Sequence, residues 1–249
     1  MILPERKPNG LQALDLFCGA GGASMGLYQA GFEVLGADIN PQPRYPFRFV
    51  QADALAVLAN LSRGSNFLGD DFDPDFIWAS PPCQKYSSAT RHLANDKPKL
   101  IEPVRQALHW FGLPYCIENT PGAPLINPVT LCGLSFGLNV KRHRLFETNF
   151  PVTPMECVSG HPGDWFVIFG HEVRSRRHGH AAGRKNHLAD GRKAMQIDWM
   201  TRGELSEAIP PAYSRYIAEQ YLQHRSQSVA VPSTFTEHVL SYLEAGDGQ

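Results

Sequence analysis

The chain has too little of several things to belong to some common protein classes. It holds five cysteines in 249 residues, an odd number spread without tight pairing. That argues against a disulfide framework and for a reducing compartment. No apolar run approaches the roughly eighteen residues of a membrane span. Residues 1–7 are charged and lack the apolar stretch of an export signal. We therefore expect a soluble, cytoplasmic protein (bacterial, or in a phage-infected host cell) without membrane contact, most simply a monomer. Net charge is −1, so any nucleic-acid contact must come from a local basic patch. No internal repeat is visible. What is present is an ordinary globular composition, 43% hydrophobic, in a length that suits one domain with a small appendage.

Strand and helix signals alternate through the first 120 residues. Leu11 to Phe17 reads as a buried strand, followed by the Gly-rich turn Cys18-Gly19-Ala20-Gly21-Gly22 and a helix from Ala23 to Ala30. Strands are expected over Phe32–Ala37, Phe47–Val50, Asp75–Ala79 and Pro114–Glu118, and helices over Ala54–Leu61 and Leu100–Trp110. This alternation predicts an α/β fold, a mostly parallel sheet with helices on both faces. After Phe150 the character changes. Residues 151–203 are rich in Gly, His and Arg, with one clear apolar run at Trp165–Phe169, and read as a small inserted module. Helical pattern returns over Ser214–Leu222, behind Ile209-Pro210-Pro211. A last helix is expected at Phe235–Glu244, with Thr234 and Glu237 spaced as a capping box. The predicted division is 1–150 with 204–249 as one domain and 151–203 as a second, smaller region.

Strand, Gly-rich turn, helix and then an acidic residue at the next strand end is a nucleotide-binding arrangement. Glycines let the backbone approach a ligand, and a helix start offers free N–H groups. Asp38 lies where a carboxylate can hold ribose hydroxyls, and Asp53, at the following strand end, could reach an adenine amino group. The glycine spacing is not a strict GxGxxG, and no lysine follows the turn as in a P-loop. A dinucleotide or a nucleoside triphosphate is thus disfavoured.

Pro81-Pro82-Cys83-Gln84 follows a strand directly. Each proline fixes its own φ and restricts the residue before it, so the thiol sits on a stiff loop at a strand's carboxyl end. Such a loop suits a nucleophile, whose attack geometry must be preset. Alone, the tripeptide would more simply be a turn before a small buried residue.

The ordered set Asp15-Leu-Phe-Cys-Gly-Ala-Gly-Gly22, Asp38, Asp53, Pro81-Pro82-Cys83-Gln84, Glu118-Asn119-Thr120 and Arg142-His143-Arg144 resembles the cytosine carbon-5 DNA methyltransferases. The likeness covers 11–150 and, more weakly, 204–222. It implies a Rossmann-like fold and S-adenosylmethionine as donor, surrounded by Asp15, Phe17, Gly19, Gly21, Gly22, Asp38, Ile39, Asp53, Ala54 and Pro81. It also implies that 204–222 packs back on the catalytic domain and closes the donor pocket. Three places depart from the family pattern. Thr120 stands for the usual Val, Val140 for the Gln ahead of the two arginines, and Ile209–Ser214 for the family's Gly-Asn stretch.

The resemblance implies covalent chemistry. Cys83 would add to carbon 6 of a flipped-out cytosine, Glu118 would hold a proton at ring nitrogen 3, and Arg144, supported by Arg142, would grip the ring carbonyl. Taken singly, Glu118 reads equally as a capping carboxylate, and the arginines read more simply as ion-pair residues. Target contacts are expected from Gln84, Lys85, Ser87, Ser88 and Arg91, which could close over the extruded base. A second set is expected in the basic stretch 171–193, through Arg174, Arg176, Arg177, Arg184 and Lys185. Cys157, His161, His171, His178, His180 and His187 match no standard zinc spacing. We expect no metal, with these histidines near phosphate. Double-stranded DNA is the expected partner, in DNA methylation and restriction–modification. The open alternatives are an RNA (tRNA) cytosine methyltransferase, a modified S-adenosylmethionine donor, and a catalytically silent DNA-binding homologue.

Overall fold

The computed structural model describes residues 2–82, 99–157, 160–169, 172–177, 180–185 and 188–229. Seven strands form the main sheet: β1 (Gln12–Leu16), β2 (Glu33–Asp38), β3 (Arg48–Gln51), β4 (Phe76–Ala79), β5 (Tyr115–Asn119), β6 (Val129–Cys132) and β7 (His143–Thr148). Their order is β3-β2-β1-β4-β5-β7-β6. The pairs from β3 to β5 are parallel, and β7 runs antiparallel to both its neighbours. The strand order reverses between β1 and β4. Connections there leave toward opposite sides, which opens a crevice at the carboxyl ends.

The helices divide between the two faces. α2 (Ala54–Ser62) and α3 (Ile101–Phe111) cover one, in a core with Leu14, Leu16, Leu35, Ile77 and Ile117. α1 (Gly22–Gln29) and α6 (Pro211–Val229) cover the other, with Ala13, Val34, Phe76, Trp78 and Phe146. Both faces are therefore buried, and β4 is apolar at every position, as a covered parallel strand must be. α1 is short and rich in small residues because it lies between sheet and α6. A Cβ on Gly26 would fall 2.1 Å from Pro211 O and from Ser214 Oγ. Ser214 donates to Ala23 O at 2.7 Å. Residues 204–222 thus pack back on the nucleotide-side helix, as expected. Pro211 opens α6, where its missing N–H costs nothing.

Most expected elements lie within one or two residues of the observed ones. Several differences are larger. Residues 143–148, of which the sequence showed only an arginine motif, are strand β7; its partner β6 was not expected; and α6 extends the expected Ser214–Leu222 to Pro211–Val229. The stretch 151–203 is more structured than its composition suggests. It contains a three-stranded antiparallel sheet of β8 (Trp165–Phe169), β9 (Glu172–Arg177) and β10 (His180–Lys185), then α4 (Leu188–Met195) and α5 (Arg202–Glu207). These elements share a core of Ile168, Val173, Met195, Met200 and Leu205 with Ala20, Leu138 and Val140. Sequence reading missed β9 and β10 because their arginines mask the strand alternation. The capping box occurs at Thr201 and Glu204 on α5. The helix expected at 235–244, with Thr234 and Glu237, lies outside the described residues. No described helix is long and apolar enough to cross a membrane.

Candidate active site

The carboxyl ends of β1, β2, β4 and β5 gather the sequence motifs at one edge. Leu16 ends β1, and Phe17 then takes φ 58°, a left-handed conformation uncommon for a non-glycine residue. The chain turns sharply there and enters the Gly-rich loop. The three glycines of that loop do different work. Gly19 has φ 49° and nothing within 4 Å of where a Cβ would sit, so its surface is open to a ligand. Gly21, at φ 86°, lies under Tyr45 and Pro46, its Cβ position 2.9 Å from Pro46 Cδ. Gly22 packs on the entry to α6, where an added Cβ would fall 2.7 Å from Ile209 O. Among the three, Gly19 faces open space, and Gly21 and Gly22 lack room for a side chain beside their neighbours.

Asp38 ends β2. Its carboxylate accepts from Gly19 N at 3.1 Å and Asn40 N at 2.9 Å, which ties the Gly-rich loop to the neighbouring strand. Ile39, next in the chain, is 61% exposed. Asp53 caps α2, accepting from Ala56 N at 3.0 Å, and Ala54 behind it is buried. Asp15 is fully buried, and burial pushes its carboxyl up to about 7. Ser24 donates to one of its oxygens, while Oδ1 has no hydrogen-bond partner among the described residues. Two surface cavities, lined in part by Arg6 and Pro8, sit at the opposite, amino edge, and neither includes Asp15, Asp38 or Glu118.

The catalytic candidates meet on β5 and β7. Glu118 is buried, with Oε1 3.1 Å from Arg144 Nε. Desolvation raises its carboxyl above the ordinary value; Arg144, a hydrogen bond from Ser80 and the charge of Arg142 oppose that rise. Asn119 donates through Nδ2 to Pro81 O at 2.8 Å in a buried bond, and its Oδ1 accepts from Thr120 N at 3.0 Å. Ser80 N bonds Leu16 O at 3.1 Å. The chain entering the Pro-Pro-Cys motif is thus fastened to both neighbouring strands, Ser80 to β1 and Pro81 to β5, and Pro81 is buried. α3, the next described element, is anchored by Arg105. This side chain forms a bidentate pair with Glu147 on β7, at 2.6 and 2.8 Å.

Arg142 is 5% exposed, and its guanidinium donates to Ile168 O at 2.8 Å and Ser206 O at 2.7 Å. Those bonds clamp the start of β7 to β8 and α5. Arg142 thus acts as a structural tie, while Arg144 places its Nε against Glu118. Cys83, Gln84, Lys85, Ser87, Ser88 and Arg91 lie outside the described residues. Arg174, Arg176 and Arg177 fall on β9, and Arg184 and Lys185 on β10, with Lys185 in register opposite Arg174. Arg174 is exposed, next to buried Val173. Sequence reasoning missed Asn119 as the tether of the cysteine loop; its place beside Glu118 was the available signal.

Residues 11–106 match the family described as C-5 cytosine-specific DNA methylase. Two relatives are the Type II methyltransferases M.HgiGI and M.HgiDI of Herpetosiphon aurantiacus, each 35% identical over 82 residues. That stretch is 32% of this chain, 64% of the first relative and 26% of the second, so the match spans less than two thirds of either. Among solved structures, the Dnmt2 methyltransferase of S. pombe superposes with a TM-score of 0.53 at 14% identity, covering 84% of this chain and 98% of that one. At that identity the likeness concerns the fold, and it agrees with the Rossmann-like methyltransferase architecture of the sheet. Residues 11–106, which carry the Gly-rich turn, both strand-end aspartates and the Pro-Pro-Cys motif, are thus similar to the C-5 cytosine-specific DNA methylase family.

Proposed function

We propose that this protein transfers a methyl group from S-adenosylmethionine to carbon 5 of a cytosine flipped out of duplex DNA, through a transient bond to Cys83. The observation that carries this reading is the buried Glu118–Arg144 pair across β5 and β7, beside the Asn119 bond that holds Pro81, two residues before Cys83.

The residues present fit the donor. Gly19 offers open backbone, Asp38 stands at the β2 end, Ile39 exposes an apolar side chain next to it, and buried Asp15 Oδ1 has no partner among the described residues. A buried carboxylate oxygen calls for a donor, and the ammonium or ribose end of such a ligand can supply one, directly or through water. When bound, S-adenosylmethionine supplies the electrophilic methyl group.

The chain's own residues account for activating the base. The Cys83 thiolate adds to carbon 6 and forms the S–C bond, and the ring electrons shift toward carbon 5 and nitrogen 3. Glu118 holds or shares a proton at nitrogen 3. Desolvation keeps its carboxyl more basic than usual, the condition for that role at neutral pH. Arg144 holds Glu118 in place and offers its remaining N–H donors to the ring carbonyl, for which its planar, permanently charged fork is suited. After methylation of carbon 5, loss of the carbon-5 proton and of the Cys83 sulfur restores the aromatic ring.

The basic strands β9 and β10 supply the expected phosphate contact, and the base must leave its stack before reaching this edge. Type II methyltransferase relatives make a restriction–modification setting the natural one. The test is methyl transfer from labelled donor to duplex DNA and to tRNA in parallel, followed by mapping of the modified base. Transfer to carbon 5 of DNA cytosine supports the reading. Transfer to tRNA alone replaces the substrate but keeps the chemistry. A larger transferred group identifies an altered donor. Absence of any Cys83 adduct with 5-fluorocytosine substrates overturns the catalytic reading.

A further inference from the structure

Cys132 and His143 are register partners across the β6–β7 hairpin. Cys157 and His161 lie further on, in the segment joining β7 to β8. Folding brings one ligand atom from each of these four side chains within 4.8 Å of all the others. His143 Nε2 is 3.3 Å from Cys157 Sγ, Cys157 Sγ is 3.1 Å from His161 Nε2, and the two imidazole nitrogens are 3.2 Å apart. Tetrahedral zinc, with Zn–N about 2.0–2.1 Å and Zn–S about 2.3 Å, holds its nitrogens ~3.3 Å apart and each nitrogen ~3.6 Å from a sulfur. The observed separations are close to that figure, slightly contracted.

Simple packing does not account for the convergence. Hydrogen bonding among two thiols and two imidazoles would satisfy them in pairs and would not draw all four atoms to one point. Two thiolates and two neutral imidazoles are instead a standard structural zinc set, and protein fills every position, with none left for water or substrate.

We propose that Cys132, His143, Cys157 and His161 bind a single zinc ion in a closed structural site. The spacing, ten residues, then thirteen, then three between successive ligands, resembles no zinc finger, which is why sequence reading expected no metal and grouped Cys157 and His161 with later histidines. The missing partners were on the hairpin. The ion would fix a connecting segment in which Thr153, Pro154, Glu156, Pro162 and Gly163 are exposed. His161, at φ 49°, would be held from one side by the metal and from the other by Trp165 Nε1, which donates to its carbonyl at 2.9 Å. His143 stands between Arg142 and Arg144, so the same ion would brace the hairpin that carries the Glu118 partner. It takes no part in the proposed methyl transfer, and its test needs no activity.

The full chain, expressed in zinc-replete medium and purified under reducing conditions, should carry about one zinc per molecule by elemental analysis. Cobalt replacement should give the intense spectrum of a tetrahedral ion with two thiolates, and zinc absorption spectroscopy should return two sulfur and two nitrogen neighbours. Cys157→Ser and His161→Ala, both away from the core, should lose the metal. A combined His171→Ala, His178→Ala and His187→Ala variant should keep it. A strong chelator should lower the melting temperature of the wild type and leave that of Cys157→Ser unchanged. The proposal is overturned by wild-type protein without metal, by metal retained in both ligand variants, or by a Cys132–Cys157 disulfide in the peptide map.

Discussion

The two halves of the main sheet are specified differently. From β1 to β5 each chemical position lies at or just beyond a strand end, and local chemistry puts it there: glycines and the strained Phe17 turn after β1, Asp38 ending β2, two prolines after β4, Glu118 and Asn119 closing β5. From β6 to α5 the structure depends on contacts between distant residues. Arg142 reaches β8 and α5, Trp199 donates to Ala20 O at 2.7 Å across 179 residues, and four possible metal ligands come from three segments. The first half reads as a motif string. The second is legible only once folded, because long-range polar ties leave no periodic trace in sequence.

The largest test of this contrast is at Glu118. Glu118→Gln should lower kcat by about 10²–10⁴-fold, the usual worth of a positioned proton donor, with the melting temperature little changed. In the wild type the protonated carboxyl is the working form, and its pKa lies above the ordinary value. Activity that needs this form should fall as pH rises through that raised value. The glutamine variant should lose this alkaline limb, read from kcat against pH with each substrate. Cys83→Ser should likewise abolish turnover while donor affinity, read by calorimetry, stays within about twofold of wild type.

Arg142→Met should separate the two arginines. Removing its guanidinium leaves two buried carbonyls without donors, at about 1–3 kcal/mol each, so the loss should appear in chemical denaturation. Arg144→Met should cost less stability and more turnover. Equal effects of the two on both measurements would erase the distinction between structural tie and active-site arginine.

The glycines give a finer comparison. Gly26→Ala places a methyl group against Pro211 O and Ser214 Oγ, and overpacking of this kind costs about 1–3 kcal/mol. Gly19→Ala meets open space, so its stability cost is the left-handed backbone alone, about 1–2 kcal/mol. Its main effect should be on donor affinity, measured by calorimetry, whereas Gly26→Ala should leave affinity nearly intact once folded.

The last test reads a slope rather than a single value. The Asp15 carboxyl sits at about 7 in the fold against an ordinary value of 3.8, chiefly through burial. The folded state holds the proton more tightly than the unfolded chain. Its contribution to stability is therefore complete below pH 4 and is lost as pH rises toward and through 7. Asp15→Asn should flatten the fall in unfolding free energy between those limits, measured by urea melts across pH.

Strand and helix patterning predicted the parallel α/β core and a nucleotide-binding edge, and the resemblance carried by the ordered motifs named Cys83, Glu118 and Arg144 as chemical candidates. Turns and strand ends are made by neighbouring residues, and Gly, Pro and Asp act within a few bonds of where they stand. Only the tertiary structure decided which arginine faces Glu118, which glycine faces open space, that Asn119 fastens the Pro81 carbonyl, and that Cys132 and His143 meet Cys157 and His161. Each of these depends on strand register and on side chains crossing between elements, where burial and hydrogen-bond geometry choose among residues of the same type.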